Sequence, residues 1–327
     1  MTKKLTLILI GISIVLPIFI KNNYILHIFI IAFIYAIAAQ AWNLLAGYAG
    51  QVSFGHSAYF GIGAYTLALC ANNLNIPPIA GIFLGALAAT ILGLLIFYPS
   101  FKLRGAIFSL TTFAFAEILR VAFTTLRSFS GGMAGITIPF RRSSLAWLQF
   151  TGKLWPYYIC LLFLIVTALV VYKIENSVLG LKLKSIRENQ EAAESIGINV
   201  HQTKIKVGII SAFFTGIAGG LYVSYVHVID PLIAFGSYQS VNMIVYTVVG
   251  GMGSLLGPIL GTIILSPTTM FLNSFLSGFG INGIHLIFTG VLLIIVVLWK
   301  PQGLISLLKI SNAKNKLKTM NKAKKGI

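Results

Sequence analysis

The sequence predicts an all-α fold: a polytopic integral membrane protein of about ten transmembrane helices with both termini in the cytoplasm. Three observations predict it. Only 9% of the 327 residues are charged and 57% are hydrophobic, whereas soluble chains carry roughly a quarter charged residues. Apolar runs approaching the roughly 20 residues that a helix needs to cross hydrocarbon recur along most of the length. The basic residues sit in short connections and at the two ends, where orientation in a membrane depends on them.

The runs fall at 5–20, 24–46, 54–71, 77–98, 104–124, 154–174, 205–227, 238–251, 255–275 and 283–299. Backbone polar groups in lipid must be paired within the segment, so runs of this length are helices. Lys3 and Lys4 before 5–20 give that run the look of a signal peptide. No small-residue cleavage site follows Pro17, so it is read as a retained first span. The run 238–251 is short and leads into Gly250-Gly251-Met252-Gly253, which fits either a full span or half of a broken, re-entrant helix. The organisation is one transmembrane domain, 1–308, and a basic tail, 309–327, with seven lysines and no acid. The tail, with Lys3 and Lys4, fixes the cytoplasmic side. One connection disagrees: 125–153 falls outside by this count yet carries Arg127, Arg141, Arg142 and Lys153.

Net charge of +18 does not indicate a nucleic-acid partner, since no basic groove with interleaved aromatics is present. Cys70 and Cys160 lie singly in apolar runs and make neither a disulfide framework nor a metal set. No HExxH, no paired carboxylates within spans and no Cys–His cluster occur, so no catalytic residue, metal or cofactor is expected.

Small residues at i, i+4 spacing, Gly253/Gly257/Gly261 and Gly81/Gly85, suit close helix packing. GMGSLLG resembles a loosened dinucleotide fingerprint but lacks the surrounding strand and helix. The segment 47–57 puts Gln51, Ser53, His56 and Ser57 at the start of a span. Such groups either bond to neighbouring helices or line a pathway. Gln51, Ser53 and His56, with Thr111 and Thr112 in the next-but-one span, are the pathway candidates. Gly251-Met-Gly-Ser254 echoes the Gly-x-x-Ser spacing of Gly50-Gln-Val-Ser53, a hint of duplication. Glu117, the only acid within a span, lies one turn from Arg120 and predicts an ion pair. His27, His227 and His285 sit at span ends.

The hydrophilic loop 175–206 holds four of the six acids, Glu175, Glu188, Glu191 and Glu194. Its residues 181–196 predict one amphipathic helix, with Leu183, Ile186, Ala193 and Ile196 on one side. Lys184/Glu188 and Arg187/Glu191 are i, i+4 pairs, and Gly197 is a left-handed stop. Ala192-Ala193 offers a smooth patch, suited either to a partner's groove or to the membrane surface.

Glu191-Ala192-Ala193-x3-Gly197 resembles the EAA loop of permease subunits of ABC importers, although Val207-x-Ile209-Ile210 replaces that pattern's Ile-x-Leu-Pro end. NLLAGYAGQVSFGHSAYFGIGAY (43–65), LRGAIFSLTTFAFAEI (103–118), SGGMAGI (130–136), GLKLKSIRENQEAAESIGIN (180–199) and VVGGMGSLLGPILGT (248–262) resemble the branched-chain amino acid ABC permease of the LivM type. The resemblance implies an inner-membrane permease domain with two ABC ATPase subunits, a second LivH-type permease and a periplasmic substrate-binding protein as partners. It implies that Arg187, Glu188, Glu191, Ala192, Ala193 and Gly197 form the ATPase-coupling loop, and that Arg141 and Arg142 meet acidic groups of the binding protein. The chain has no P-loop, so ATP would be hydrolysed on another subunit. Alternatives are the same superfamily with urea, a short amide or a sugar as cargo, or an ion-coupled secondary amino acid carrier.

Overall fold

The computed structural model describes residues 11, 13–17, 22–141, 144–277, 284–299 and 303–306. Most of the expected first span, Arg142 and the tail 309–327 lie outside the described residues. The described chain is helical almost throughout. Its long helices are α1 (Asn23–Asn43), α2 (His56–Asn73), α3 (Pro78–Ser100), α4 (Gly105–Thr125), α6 (Leu154–Glu175), α9 (Val200–Val226), α12 (Gly257–Ser277) and α13 (Ile284–Trp299). Shorter pieces are α5 (Arg127–Ser130), α7 (Val178–Glu188), α8 (Gln190–Ser195), α10 (Pro231–Phe235) and α11 (Ser237–Gly250). Strands β1 (Ile136–Thr137) and β2 (Val228–Ile229) pair antiparallel. Six helices are long and apolar enough to cross a membrane.

Helix starts follow local capping. Asn22 accepts from the amide of Tyr24, Asn199 from Gln202 and Asp230 from Ile233, while Pro78 opens α3 without an amide to satisfy. The cap at Asn199 starts α9 at Val200, five residues before the apolar run at 205–227.

Two helices form the centre. The apolar window of α1 is 83% buried and that of α9 is 78%, whereas α4 buries only 17% of its window. An apolar helix with protein on all sides and one with an apolar face left over are the two kinds expected of a bundle in lipid. The centre is tight because small residues meet there. A Cβ at Gly63 of α2 would stand 2.2 Å from the carbonyl oxygen of Gly216 of α9, and one at Gly85 of α3 would stand 2.5 Å from that of Gly63. Gly261 of α12 meets the carbonyl oxygen of Tyr246 of α11 in the same way, at 1.9 Å. GMGSLLG is therefore the turn of a packed helical hairpin.

Contacts between connections fix which helix ends lie together. The turns 44–55, 101–104, 176–199 and 251–256 gather at one end, hereafter the Glu191 end. The segment 126–153, β2 and the turn 74–77 gather at the other. The basic connection 125–153 and the acidic loop 175–206 are thus on opposite ends of the bundle. The short run at 238–251 is α11, which follows the break at Gly236 after α10, takes the amide of Ser57 on Ser240 Oγ at 2.9 Å, and stops at Gly251, φ +126°, at the Glu191 end. Its 14 residues reach about 21 Å, less than a full span needs. Glu117 and Arg120 form the expected ion pair at 2.7 Å.

Gly63→Val should lower the melting temperature of the detergent-solubilised protein or prevent its accumulation, because a forced overlap of this kind costs about 1–3 kcal/mol or more. Gly152→Val, at a position with open space around it, should do neither.

Candidate functional site

The loop 175–206 is an elbow of two helices and not the single helix expected over 181–196. Asn189 is extended, φ −156° and ψ 110°, and its side chain accepts from the amides of Glu191 and Ala192. An Asn at this position competes with helix continuation and caps the next one. The break rotates α8 against α7, so the predicted apolar side divides. Leu183, Ile186 and Ala193 are buried, but Ile196 is 74% exposed. Ala193 packs with Ile186 and Val200 to seal the elbow and is not a free patch, whereas Ala192 faces out. Gly197 takes φ +84° and ends α8 as expected. Val178 and Leu181 on α7 are also exposed, at 69% and 64%.

The expected i, i+4 ion pairs do not form. Among the described residues the ion pairs are Arg120–Glu117 and Arg104–Glu191. The Arg104 guanidinium reaches across from the start of α4 to Glu191 at 3.0 Å, with both side chains largely exposed. Lys204, buried in the first turn of α9, donates its ammonium to Gln190 Oε1 at 2.8 Å and holds the start of α8.

Arg187, an exposed residue, turns away from Glu191 toward the helix turns. Its Nη1 donates to the carbonyl oxygen of Gly47 at 2.6 Å. A Cβ at Gly50 would lie 3.3 Å from Arg187 Cγ, and one at Gly253 would lie 2.4 Å from Nη1. The side chain is therefore wedged between two turns, the one linking α1 to α2 and the one linking α11 to α12. These carry the two Gly-x-x-Ser echoes. In the first, Ser53 Oγ accepts from the amide of Gly55 at 3.2 Å; in the second, Ser254 Oγ accepts from that of Gly257 at 3.1 Å. Each serine thus satisfies an amide at or just before the start of the following helix. Gly50 and Gly253, at φ +72° and +74°, need the left-handed conformation that glycine adopts without strain.

Asn43 joins the two turns. Its Oδ1 accepts from the amide of Gly253 at 2.8 Å and its Nδ2 donates to the carbonyl of Ser254 at 3.0 Å, while Gln40 donates to the carbonyl of Leu255. The last turn of α1 widens here into a π-helix, Leu44–Tyr48, whose Tyr48 hydroxyl donates to Glu175 at 3.2 Å. Gln40, Asn43, Arg104, Asn189 and Lys204 were not singled out from the sequence. Gln40 and Asn43, one turn apart in an otherwise apolar run, were the readable signal.

The polar candidates of 51–57 separate. His56 and Ser53 are fully buried. His56 Nε2 meets Ser211 Oγ at 2.8 Å and its Nδ1 meets Ser53 Oγ at 3.1 Å. Ser211 donates its own proton to the carbonyl of Ala41, so it accepts from Nε2–H, and Ser53 donates to Nδ1. The imidazole is thereby a pin between α2, α9 and α1, with both nitrogens engaged. Thr112 is buried and accepts from the amide of Phe54 at 3.2 Å, closing α4 onto the same turn. Thr111 points elsewhere and bonds within α4 to Ile107, and Gln51 is half-buried at the surface of the turn. Among the described residues no cluster of His, Cys, Asp or Glu could hold a metal.

At the far end, Arg141 is exposed. Its guanidinium bonds to Asn75 and stacks on Trp147 at 5.1 Å from the ring centroid.

Six long apolar helices packed around a buried centre define, among the described residues, a multi-pass membrane protein. The chain belongs to the family described as "Branched-chain amino acid transport system / permease component", whose model matches residues 24–297. It is similar to the high-affinity branched-chain amino acid transport system permease protein LivM of Escherichia coli, 27% identical over 90% of this chain and 71% of the relative. A probable branched-chain amino acid transport permease protein LivM of Methanocaldococcus jannaschii is 26% identical over 83% of this chain and 90% of the relative. A probable LivH permease protein of the same organism is 29% identical over 38% of each chain. No solved structure matches the chain.

Asn189→Ala should speed amide exchange across 190–196 by roughly five-fold, since loss of an N-cap costs about 1 kcal/mol. Ser211→Ala should cost about 1–3 kcal/mol by stranding the buried His56 Nε2–H, read as a lower melting temperature.

Proposed function

We propose that this chain is the membrane-spanning permease subunit of an ATP-driven ABC importer that carries branched-chain amino acids across the inner membrane. Family membership and the LivM relatives supply the cargo class. The observation that carries the mechanism is Arg187, which ties an exposed helix to the two turns where four helices end.

In this reading the elbow faces the cytoplasm and seats in a separate ATPase. Its outward surface combines Val178, Leu181, Ala192 and Ile196 with Lys182, Lys184, Glu188 and Glu191, an apolar and charged mixture suited to a protein partner rather than to lipid. Closure of the ATPase pair moves α7 and α8 as one body, because the apolar seal around Ala193 and the Lys204–Gln190 bond join them. Arg187 transmits that movement to the turns at Gly47 and Gly253, and Arg104 carries it to α4. A coupling element needs two arrangements that a ligand can bias. The contact of one guanidinium with a carbonyl between two glycine turns is small enough to be exchanged for water.

Ten crossings with cytoplasmic termini accord with the alternating helix directions. Ser13 and Ile14 lie against Tyr157 and Tyr158 at the far end, which suits a first helix rising from the cytoplasm. The domain is 1–308, with the basic tail beyond it. A second LivH-type permease completes the pathway, a second ATPase completes the motor, and a periplasmic binding protein docks at the far end through Arg141 and Arg142. Fixed by Asn75 and Trp147, Arg141 presents a positioned cation there. Gln51, Ser53, His56 and Thr112 act at the turn as hinge and seal, and Thr111 has no part in that joint.

Glu191→Lys should abolish uptake in cells and weaken co-purification of the ATPase. Arg187→Ala should leave ATPase binding within about two-fold while uptake falls at least ten-fold, a loss of roughly 1.4 kcal/mol of coupling. Uptake that persists without any ATPase and follows a proton gradient would reject the importer reading. A binding partner that retains urea or a sugar instead of leucine would reassign the cargo.

A further inference from the structure

Two cavities open between the helices. One, about 380 Å³, lies at the far end between the starts of α1 and α6 and the end of α9, with Lys153, Ser224 and His227 on its wall. The other, about 310 Å³, lies deeper, between α1, α9, α11 and α12. His27 and Val226 line both, so the two cavities adjoin at that wall. Tyr35, on the wall of the deep chamber, stands 12 residues along α1 from Asn23 (35 − 23). At 1.5 Å per residue that is about 18 Å in from the far end, near mid-depth. Toward the Glu191 end the way is shut. Thr247 of α11 bonds to the carbonyl of Ala39 at 3.1 Å, and beyond it Asn43 grips the turn 251–256.

We propose that the deep chamber is the cargo station of the pathway and holds one zwitterionic amino acid with an aliphatic side chain, reached from the far end in the conformation described. The proposal rests on the importer reading and adds to it a place and a recognition chemistry. Among the described residues no carboxylate, lysine or arginine lines the chamber, and His27 is its one imidazole, at the shared rim. A cargo of net charge would be left uncompensated at this depth, whereas a zwitterion carries its own balance. Tyr35 sits with its ring centroid 5.9 Å from that of Tyr246 and 6.5 Å from that of Tyr222. Aromatic faces attract an ammonium group. The amide of Asn242 supplies donors for the carboxylate. Ile31 and Met270 form an apolar wall, and the unbranched Met270 adapts to valine, leucine or isoleucine alike. The volume lies at the small end of ligand pockets, which suits a single small molecule.

The test uses the whole importer, with both permeases, two ATPases and the binding protein, in proteoliposomes. A diazirine analogue of leucine is photolysed with the intact complex and the adducts are mapped by mass spectrometry. Adducts on 31–35, 242–246 and 266–270 that disappear with excess leucine are expected. In parallel, Asn242→Leu should reduce leucine uptake at least ten-fold while ATP hydrolysis stimulated by the loaded binding protein stays within two-fold. Adducts confined to other segments would overturn the proposal even if Asn242→Leu failed to assemble, since the map is made on the unaltered protein. Wild-type uptake together with wild-type-like transport by Asn242→Leu would overturn it and leave the importer reading standing. A wild-type complex that takes up no branched-chain amino acid would instead remove the importer reading itself.

Discussion

A helix that stops inside a membrane protein leaves carbonyls or amides without partners, and hydrocarbon supplies none. Here two hairpins, α1–α2 and α11–α12, stop side by side at the Glu191 end, and their loose backbone groups are satisfied by a few side chains. Asn43 serves the turn 251–256 through both of its amide atoms, Ser53 and Ser254 serve the following helices, and Arg187 closes the carbonyl of Gly47. All but one of these partners come from the hairpins themselves. Arg187 alone comes from the elbow. The Arg187 contact thus links the elbow to the hairpin turns and satisfies a backbone carbonyl there, beside the Arg104–Glu191 and Lys204–Gln190 contacts that link the elbow to the starts of α4 and α9.

The remainder of the bundle is closely packed. Where α2, α3 and α9 meet, the absence of Cβ atoms at Gly63, Gly85 and Gly216 brings backbones into contact, and the His56–Ser211–Ala41 chain pins α2 to α9 and α1. Dispersion contacts at such short range are lost steeply with separation, so this part behaves as one rigid body. The side built from α11 and α12 differs. A shortened α11 does not fill the depth of the bundle, α10 covers α2 and α4 instead, and bulky tyrosines hold the walls apart. Rigidity and an open chamber thus occupy opposite flanks of α1.

Most of the helices were legible in the sequence because their cause is local: a run of apolar residues of the right length has one stable backbone in lipid. The elbow was half legible. Leu183, Ile186 and Ala193 do form its buried side, yet the amphipathic pattern ran straight through Asn189, whose capping bonds break the helix and turn Ile196 outward. The charge pairs failed for a related reason. Spacing showed which charges could meet along one helix, while Glu191 found Arg104 and Arg187 found Gly47, both distant in sequence. His56 and Ser53 were recognised as polar groups in an apolar setting, and their partner Ser211 lies 155 residues beyond His56.

By itself the sequence determined the class of protein, the positions of most of its long helices and the one hydrophilic loop, since hydropathy and charge placement act residue by residue against the membrane. Tertiary structure alone decided which polar groups are sealed and which stand in a cavity. That distinction depends on long-range pairing: a buried donor such as His56 is satisfied once Ser53 and Ser211 arrive, whereas Tyr35, Asn242 and Thr269 are brought around an unfilled space only when four separate helices pack.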